Sequence, residues 1–267
     1  MPEIGISILE YLSMATAATG VLWLLALRRR KQLAHMKRKP LWVSWGAELF
    51  FVLAAVLGGR VALADWPQVP TGSMEPTLRV GDYLLVNKLA YGPRLPFTNT
   101  AIPMGQPQRG DVVVFRYPLD VSVLYVKRLI GMPGDVVTYR KGVVAINGEP
   151  FHAAVTRDVE VKPEDAGQLF VHEEAAGDER TIKINERGSG ARVPPEAWLA
   201  EPGACEVEAA DSWRCKVPPG KYLMMGDNRD NSADSRVWGF LDAHEVYGKA
   251  VRVLVNFSDL KRAWSQL

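Results

Sequence analysis

The sequence has few of the residues that bind metals, with two cysteines and four histidines among 267 residues. A zinc site needs three or four ligands at close spacing, as in CxxC or HExxH motifs, and neither motif occurs. The histidines are scattered along the chain, at His35, His152, His172 and His244. We therefore expect no metal site and no bound cofactor.

A net positive charge is confined to one short stretch. Residues 28–39, "RRRKQLAHMKRK", hold seven Lys or Arg and no acid, whereas the whole chain has a formal net charge of +2. The rest of the chain therefore carries a net charge of −5. Because proteins that bind nucleic acid present a basic surface, nucleic acid is not an expected partner.

Two apolar segments flank this basic stretch. Residues 4–27 contain Glu10 as their only charged residue, and residues 41–59 contain only Glu48. A helix of roughly 20 apolar residues spans the hydrocarbon core of a bilayer. A removable signal carries its positive charges before the apolar stretch, but here they follow it. The sequence thus predicts two retained membrane helices, at about 4–27 and 41–62.

The distribution of Lys and Arg orients this membrane anchor, which we place at residues 1–65. The loop 28–40 is basic and the N-terminal tail is not, so the loop is expected in the cytoplasm. Residues 66–267 then form a domain across the membrane. Cys205 and Cys215 would lie in an oxidising space, where a disulfide is expected and two free buried thiols are the alternative.

Residues 66–267 have the pattern of an antiparallel β protein. Short runs rich in Val, Leu, Ile and Tyr are separated by Gly, Pro and Asp, and no amphipathic helix alternates with them. We expect a mainly β fold, as a mostly antiparallel sandwich or open barrel, with a hairpin turn at Asn147-Gly148. Residues of about 152–219 are more polar and are predicted to form a β/loop insertion outside the part that carries chemistry. The apolar residues 95–97 are expected to contact the outer leaflet.

One serine, Ser73, stands between two prolines in "VPTGSMEPTL", residues 69–78. Pro70, Gly72 and Pro76 interrupt regular structure, so Ser73 should sit on a held turn. Such a serine is either a turn former or a nucleophile. A nucleophilic serine also needs a base that takes its proton.

Lysine is the favoured base, because none of the histidines stands in a distinctive motif. A lysine acts as a base only when it is neutral, and burial among apolar residues lowers its pKa from about 10.4. Lys127 has Val126 and Leu129 as neighbours in a strongly apolar run. Strand alternation directs Arg128 to the opposite face, so it need not repel the lysine. Most lysines in strands are exposed, and Lys88 is the ordinary example in this sequence. An exposed position is therefore the alternative for Lys127.

Five strings occur in this order behind the apolar segments: "PTGSMEPTL", "GDYLLVNK", "RGDVVVFRYP", "YVKRLIGMPGD" and "GDNRDNSADSRVWG". Together they resemble the motifs of the bacterial type I signal peptidases, also called leader peptidases. Residues 152–219 have no such match. The resemblance implies a membrane-bound serine endopeptidase with a Ser/Lys dyad, which removes signal peptides from exported preproteins after small residues (Ala-x-Ala). It also implies a multi-pass protein of the bacterial inner membrane, its catalytic domain periplasmic, with preproteins and the phospholipid bilayer as partners.

The resemblance assigns roles by motif position. Ser73 is the nucleophile, Lys127 is the general base, and Ser232 orients the lysine. Thr71 stands where the family commonly has a serine, and its hydroxyl would assist the Ser73 N–H in an oxyanion hole. The charged residues that support the site fall on Arg128, Asp227, Asp234 and Arg236. The residues that line shallow substrate pockets fall on Val69, Met74, Val114, Tyr125 and Val126.

Three other kinds of protein share part of this pattern. A Ser/Lys self-cleaving repressor would need a DNA-binding helix-turn-helix, but a membrane anchor stands in that place. A non-catalytic membrane-anchored β domain would have lost the dyad or the "DNSADS" string, and both are present. A specialised peptidase for one pilus or conjugation substrate would carry the same catalytic residues, so it stays open.

Overall fold

The computed structural model describes most of the chain. The described residues are 4–35, 40–92, 105–140, 142–156, 165–175, 178–185, 201–209 and 212–267. The expected membrane contact at residues 95–97 lies outside them, as do residues 36–39 of the basic loop.

The N-terminal part is helical, with α1 (Ile4–Arg28), α2 (Arg30–Ala34), a π-helical segment (Trp42–Gly46) and α3 (Ala47–Ala62). Tyr11–Arg28 in α1 is the one stretch of the described helices that is long and apolar enough to cross a membrane. The apolar stretch of α3, Glu48–Gly59, is shorter. Helix α1 therefore covers the first predicted helix, 4–27, and the π-helical segment with α3 covers the second, 41–62. Of the two, α1 alone is long and apolar enough by itself to cross a membrane.

Helices α1 and α3 pack against each other through aromatic rings. The Trp23 ring stacks on Phe50 with centroids 5.4 Å apart, and Phe51 meets Trp23 edge-on at 5.6 Å. Gly20 permits this approach, because a β-carbon there would lie 3.1 Å from the Phe50 ring. The two helices thus form a packed hairpin.

The rest of the described chain is mostly strands, with one short α-helix, α4 (Ser235–Trp238), and 3-10 helices at Lys88–Tyr91, Ala243–Glu245 and Leu260–Arg262. The strands are β1 (Ala64–Asp65), β2 (Asp82–Asn87), β3 (Val112–Tyr117), β4 (Asp120–Gly131), β5 (Val136–Arg140), β6 (Val143–Ile146), β7 (Glu149–Pro150), β8 (His152–Val155), β9 (Gln168–Ala175), β10 (Asp178–Asn185), β11 (Cys205–Ala209), β12 (Ser212–Lys216), β13 (Lys221–Met225), β14 (Leu241–Asp242) and β15 (Val246–Asn256). They form sheets of order β1-β2-β15-β3-β4-β13-β14, β11-β12-β5-β6-β7 and β10-β9-β8. All of these strand pairs are antiparallel, which confirms the prediction of a mainly antiparallel β fold.

The seven-stranded sheet has an apolar cluster on each face. On one face Met74 and Leu78 pack against β2 and β3, and on the other face Leu129 and Trp238 pack together. Strand β3 lies between the two clusters, so its residues 112–115 are buried on both faces. This explains its unbroken apolar run. The segment that contains Ser73 is held on the sheet by the first cluster.

The five-stranded sheet shares a third cluster with the seven-stranded sheet. Tyr139 and Trp213 stack at 5.5 Å, and both pack in the same buried cluster as Leu223 of β13. The turn between β6 and β7 places Asn147 at φ 52° and Gly148 at φ 90°. A type I′ turn requires positive φ at both positions, so the hairpin predicted from this dipeptide is present.

The segment predicted as an insertion is more closely integrated than its polarity indicates. Strand β12 pairs with β5, so β11 and β12 belong to the five-stranded sheet. Cys205 lies opposite Cys215 in this strand pair, and the two are joined by a disulfide. Strands β9 and β10 contact residues 227–230, in the last of the five motif strings. A solvent-exposed edge needs polar residues even when the strand pairs with the core, so polarity alone did not reveal these pairings.

The helical hairpin joins the seven-stranded sheet directly. Helix α3 ends at Ala62, and β1 begins two residues later and pairs with β2. The Lys88 N–H donates to the Leu63 carbonyl at 3.0 Å, and the Tyr247 hydroxyl donates to Asp65 at 2.6 Å. The sheet that carries Ser73 and Lys127 is therefore tied to the end of the helical hairpin without a linker.

Candidate active site

Ser73 lies on a turn whose two ends are closed by backbone hydrogen bonds. The Val69 N–H donates to Asp82 at 2.8 Å, and the Gly81 N–H donates back to Val69 at 2.9 Å. Within the turn, the Glu75 N–H donates to the Gly72 carbonyl at 3.1 Å. Only 8% of the Ser73 surface is exposed. The prolines therefore mark a fixed turn that presents the serine toward the protein's own side chains.

Lys127 on β4 reaches the Ser73 hydroxyl. Its Nζ lies 2.7 Å from Ser73 Oγ and 2.9 Å from the Val126 carbonyl oxygen. The side chain is 3% exposed, and its ammonium faces the Tyr125 ring at 5.4 Å from the centroid. The two residues are 54 positions apart in sequence, so the packing of the Ser73 turn against the sheet brings them together.

Burial lowers the pKa of Lys127 to about 8, although Asp234 and Asp227 act in the opposite direction. Desolvation disfavours the ammonium form, because a charge loses hydration energy in an apolar environment. With a pKa of about 8, roughly a tenth of the side chain is neutral at pH 7, against well under 0.1% for an exposed lysine. A neutral amine at 2.7 Å can accept the serine proton.

Thr71 and Ser232 are placed differently from each other. The Thr71 hydroxyl donates to Ser73 Oγ over a long distance of 3.4 Å, so it lies beside the serine hydroxyl. Ser232 is buried, and its hydroxyl lies close enough to Asp234 to help lower the pKa of that carboxyl. Its role in orienting Lys127 stays a prediction.

Gly226 explains how closely the segment after β13 approaches the nucleophile. A β-carbon at this position would lie 2.5 Å from the Ser73 carbonyl oxygen and 2.2 Å from Ser232 Oγ. No side chain fits in that space. Gly226 is thus the point at which the "GDNRDNSADSRVWG" segment contacts the Ser73 turn.

Two buried ion pairs support this segment. Arg128 binds Asp227 through two hydrogen bonds of 2.7 and 2.8 Å, and Arg236 binds Asp234 at the same two distances. Burial raises the pKa of each carboxyl, but the paired arginine more than offsets it and holds the pKa below its usual range. Asp234 also accepts from the Gly226 N–H at 2.9 Å. Both carboxylates are therefore ionised and fixed.

Replacing Arg128 with methionine is expected to lower the free energy of unfolding by about 3 kcal/mol or more, because it leaves Asp227 buried without its cation. Chemical denaturation of the detergent-solubilised full chain would measure this. Arg140→Met is the matched control, since Arg140 is exposed and its pair with Glu208 should contribute less than about 1 kcal/mol. Equal stability losses in the two variants would contradict the expectation.

The five residues assigned to substrate pockets fall into two groups. Val69, Met74 and Val114 are buried in the apolar cluster beneath the Ser73 turn. Tyr125 and Val126 are half-buried on β4, next to Lys127. The first three can therefore form only the floor of a shallow pocket.

Sequence reasoning missed two contacts that fix the site. Asn228 donates from its backbone to the Ser73 carbonyl at 3.1 Å and from its side chain to the Gly72 carbonyl at 3.0 Å. Glu173 on β9 is buried between Arg180 and Arg229 and bonds to both. Asn228 lies in the string "GDNRDNSADSRVWG", so its position in that motif was a signal for a role at the site. Glu173 has no local signal, because only the tertiary fold buries it.

The described residues contain no group of three or more His, Cys, Asp or Glu arranged to hold a metal ion. The chemistry available at this site is that of the serine hydroxyl, the lysine amine and nearby hydrogen-bond donors.

Comparison with known proteins gives consistent results. A family model described as "Signal peptidase, peptidase S26" matches residues 42–255. Signal peptidase I of Pseudomonas aeruginosa is 39% identical over 86% of this chain and 78% of its own length. Signal peptidase I of Pseudomonas fluorescens is 37% identical over 94% of this chain and 92% of its own length. A crystal structure of a signal peptidase I from Enterococcus faecalis is 29% identical, covers 54% of this chain and 96% of that chain, and superposes with a TM-score of 0.30.

The family model and the two relatives place the protein in the class of serine peptidases. The chain belongs to the signal peptidase family, peptidase S26. The resemblance noted in the five motif strings is thereby confirmed.

Proposed function

We propose that this protein is a membrane-bound endopeptidase that cleaves signal peptides from exported preproteins with Ser73 as nucleophile and Lys127 as general base. The observation that supports the proposal most is the 2.7 Å distance between Ser73 Oγ and a nearly fully buried Lys127 Nζ. The amine needs no metal or cofactor to accept the serine proton.

The proton follows one path through the reaction. Neutral Lys127 donates one N–H to the Val126 carbonyl and accepts the Ser73 hydroxyl proton with its lone pair. Ser73 Oγ attacks the scissile carbonyl carbon, and the new ammonium then protonates the leaving amine as the C–N bond breaks. Water next attacks the acyl-enzyme ester, while Lys127 takes the water's proton and returns it to Ser73 Oγ. The cycle ends with the enzyme in its starting state.

The developing oxyanion would bind between the Ser73 N–H and the Thr71 hydroxyl. The Thr71 hydroxyl lies 3.4 Å from Ser73 Oγ, so a modest rotation brings it onto the carbonyl oxygen of a bound substrate. Removal of one such donor typically lowers the rate by about 10²- to 10³-fold. Ser232, whose buried hydroxyl lies beside Asp234, is proposed to turn toward Lys127 when the ammonium forms.

An extended substrate has an open strand edge beside this pair. Strand β4 pairs with β3 on one side, but on the other side β13 pairs only with its residues from Arg128 onward. The edge near Tyr125 and Val126 is therefore open among the described residues. We propose that the residues before the cleavage site add there as a strand. Shallow pockets floored by Val69 and Met74 would then admit only small side chains.

The anchor would hold the site at the membrane surface. We propose that two helical segments span the inner membrane, α1 and the π-helical segment continued by α3. Residues 1–65 are then the anchor and residues 66–267 the periplasmic catalytic domain. Support comes from the basic residues after α1 and from the direct connection of α3 to β1. The emerging signal peptide, itself in the bilayer, would thus meet Ser73 near the membrane.

Cleavage of a purified preprotein by the detergent-solubilised full chain tests this function. A preprotein with an Ala-x-Ala site should be cut once, after the second alanine, as determined by mass spectrometry of the mature N-terminus. A matched preprotein with phenylalanine in place of that alanine should be cut at least about 100-fold more slowly, because each excess methylene in a tight pocket discriminates by about 10-fold or more. Equal cleavage of both would contradict the pocket assignment. Cleavage of neither would favour a peptidase dedicated to one substrate.

A further inference from the structure

A second buried lysine, Lys183 on β10, lies close to the site and has no part in the chemistry described above. It is 6% exposed. Its backbone N–H donates to the Asp227 carbonyl at 2.8 Å, and its carbonyl accepts from the Arg229 N–H at 2.9 Å. The backbone of Lys183 thus extends the sheet of β9 and β10 onto the segment that supports the Ser73 turn.

The Lys183 side chain continues to the Ser73 turn itself. Its ammonium contacts Glu75 at 3.1 Å and also bonds to Asp165. Glu75 is two residues after Ser73, and its carboxylate lies against Gly72, where a β-carbon would be 2.9 Å away. One cation therefore holds together two carboxylates, one of which belongs to the turn that carries the nucleophile.

The two contacts of Lys183 converge on the Ser73–Lys127 pair. Asn228, between the two backbone partners of Lys183, donates to the Ser73 carbonyl at 3.1 Å. Asp227, one of those partners, binds Arg128, the residue that follows Lys127. Both members of the pair are thus attached to segments that Lys183 touches.

We propose that Lys183 is a positioning residue that sets the distance between Ser73 Oγ and Lys127 Nζ, an inference that rests on the proposed function. Loss of its cation would leave the Glu75 and Asp165 carboxylates adjacent without the positive charge that Lys183 places between them. Their repulsion would move Glu75, and with it the turn that places Ser73. Displacement of a reacting group by about 1 Å can lower a rate by about 10²-fold.

The expected signature of Lys183→Met is a kcat about 10- to 100-fold below wild type with KM changed less than about threefold. KM should hold because Lys183 does not touch the open edge of β4. Lys183→Arg retains a cation between the carboxylates and should recover most of the lost kcat. Arg140→Met, which removes an exposed paired arginine, should match the wild type.

A double variant separates this role from a merely structural one. Glu75→Gln removes one of the two carboxylates, so Lys183→Met combined with Glu75→Gln should have a higher kcat than Lys183→Met alone. A structural role would instead lower the melting temperature and add the two losses together.

The kinetic results distinguish failure of the positioning role from failure of the proposed function. A normal kcat in Lys183→Met, or equal losses of kcat in Lys183→Arg and Lys183→Met, would overturn the positioning role. The proposed function would still hold in that case, provided that the Ser73→Ala variant is inactive. A wild type that cleaves no preprotein, or a Ser73→Ala variant that still cleaves, would overturn the proposed function and this inference with it.

Discussion

Replacing Ser73 with alanine is expected to reduce preprotein cleavage by at least about 10⁴-fold, since loss of a serine nucleophile removes the covalent route entirely. Ser73 Oγ is the hydroxyl that Lys127 Nζ contacts at 2.7 Å. The residual rate should come from substrate binding and the remaining donors only. Quantified release of mature protein over time, from the detergent-solubilised full chain, would measure the loss.

Folding must be controlled in the same experiment. Ser73→Ala removes one oxygen from a turn whose backbone hydrogen bonds remain, so its melting temperature should stay within a few degrees of wild type. Ser258→Ala serves as the matched control, because Ser258 is an exposed serine distant in sequence from the turn. Substantial cleavage by a folded Ser73→Ala variant would show that another residue is the nucleophile.

Replacing Lys127 with methionine is expected to lower kcat at least about 10³-fold, because Ser73 then has no neighbouring base to take its proton. Methionine is unbranched and of similar length, so it fills the apolar space that Lys127 occupies. It also removes the desolvated amine whose pKa burial depresses to about 8. The variant should therefore fold with a melting temperature no lower than that of the wild type, as circular dichroism would record.

Lys88→Met is the appropriate control for Lys127→Met. Lys88 was expected to be an ordinary exposed strand lysine, but in the structure it is half-buried at the start of a short 3-10 helix and pairs with Asp65 at 3.6 Å near the end of α3. Its removal should leave kcat within a few-fold of wild type. If instead Lys127→Met retained kcat and Lys88→Met lost it, the identity of the base would be wrong.

The local features of the site could be predicted from sequence because they depend on neighbouring residues. The prolines around Ser73 indicated a held turn, and the structure closes that turn with backbone hydrogen bonds. The apolar neighbours of Lys127 indicated a buried strand position, and the lysine is buried. Helix α1 followed from an apolar run of sufficient length.

Features that depend on distant contacts were not predictable in this way. Glu173 and Lys183 lie in a segment whose polar composition predicts an exposed position. They are buried only because β9 and β10 contact residues 227–230. The bounds of the second helix agree with the prediction, but an apolar count did not reveal the π-helical geometry at Trp42–Gly46. The role of Ser232 beside Lys127 stays a prediction, because side-chain direction in an irregular segment depends on its packing.

The pH dependence of kcat/KM of the wild-type full chain, between pH 6 and 10, tests the central claim that neutral Lys127 activates Ser73. Only the unprotonated amine accepts a proton, so the rate should rise as pH increases through the lowered pKa of about 8. Going from pH 7 to pH 8 should increase kcat/KM roughly fivefold, as the neutral fraction grows from about a tenth to about a half. A profile that is flat over this range, or that rises near pH 6.5 as a histidine base would give, would contradict the account.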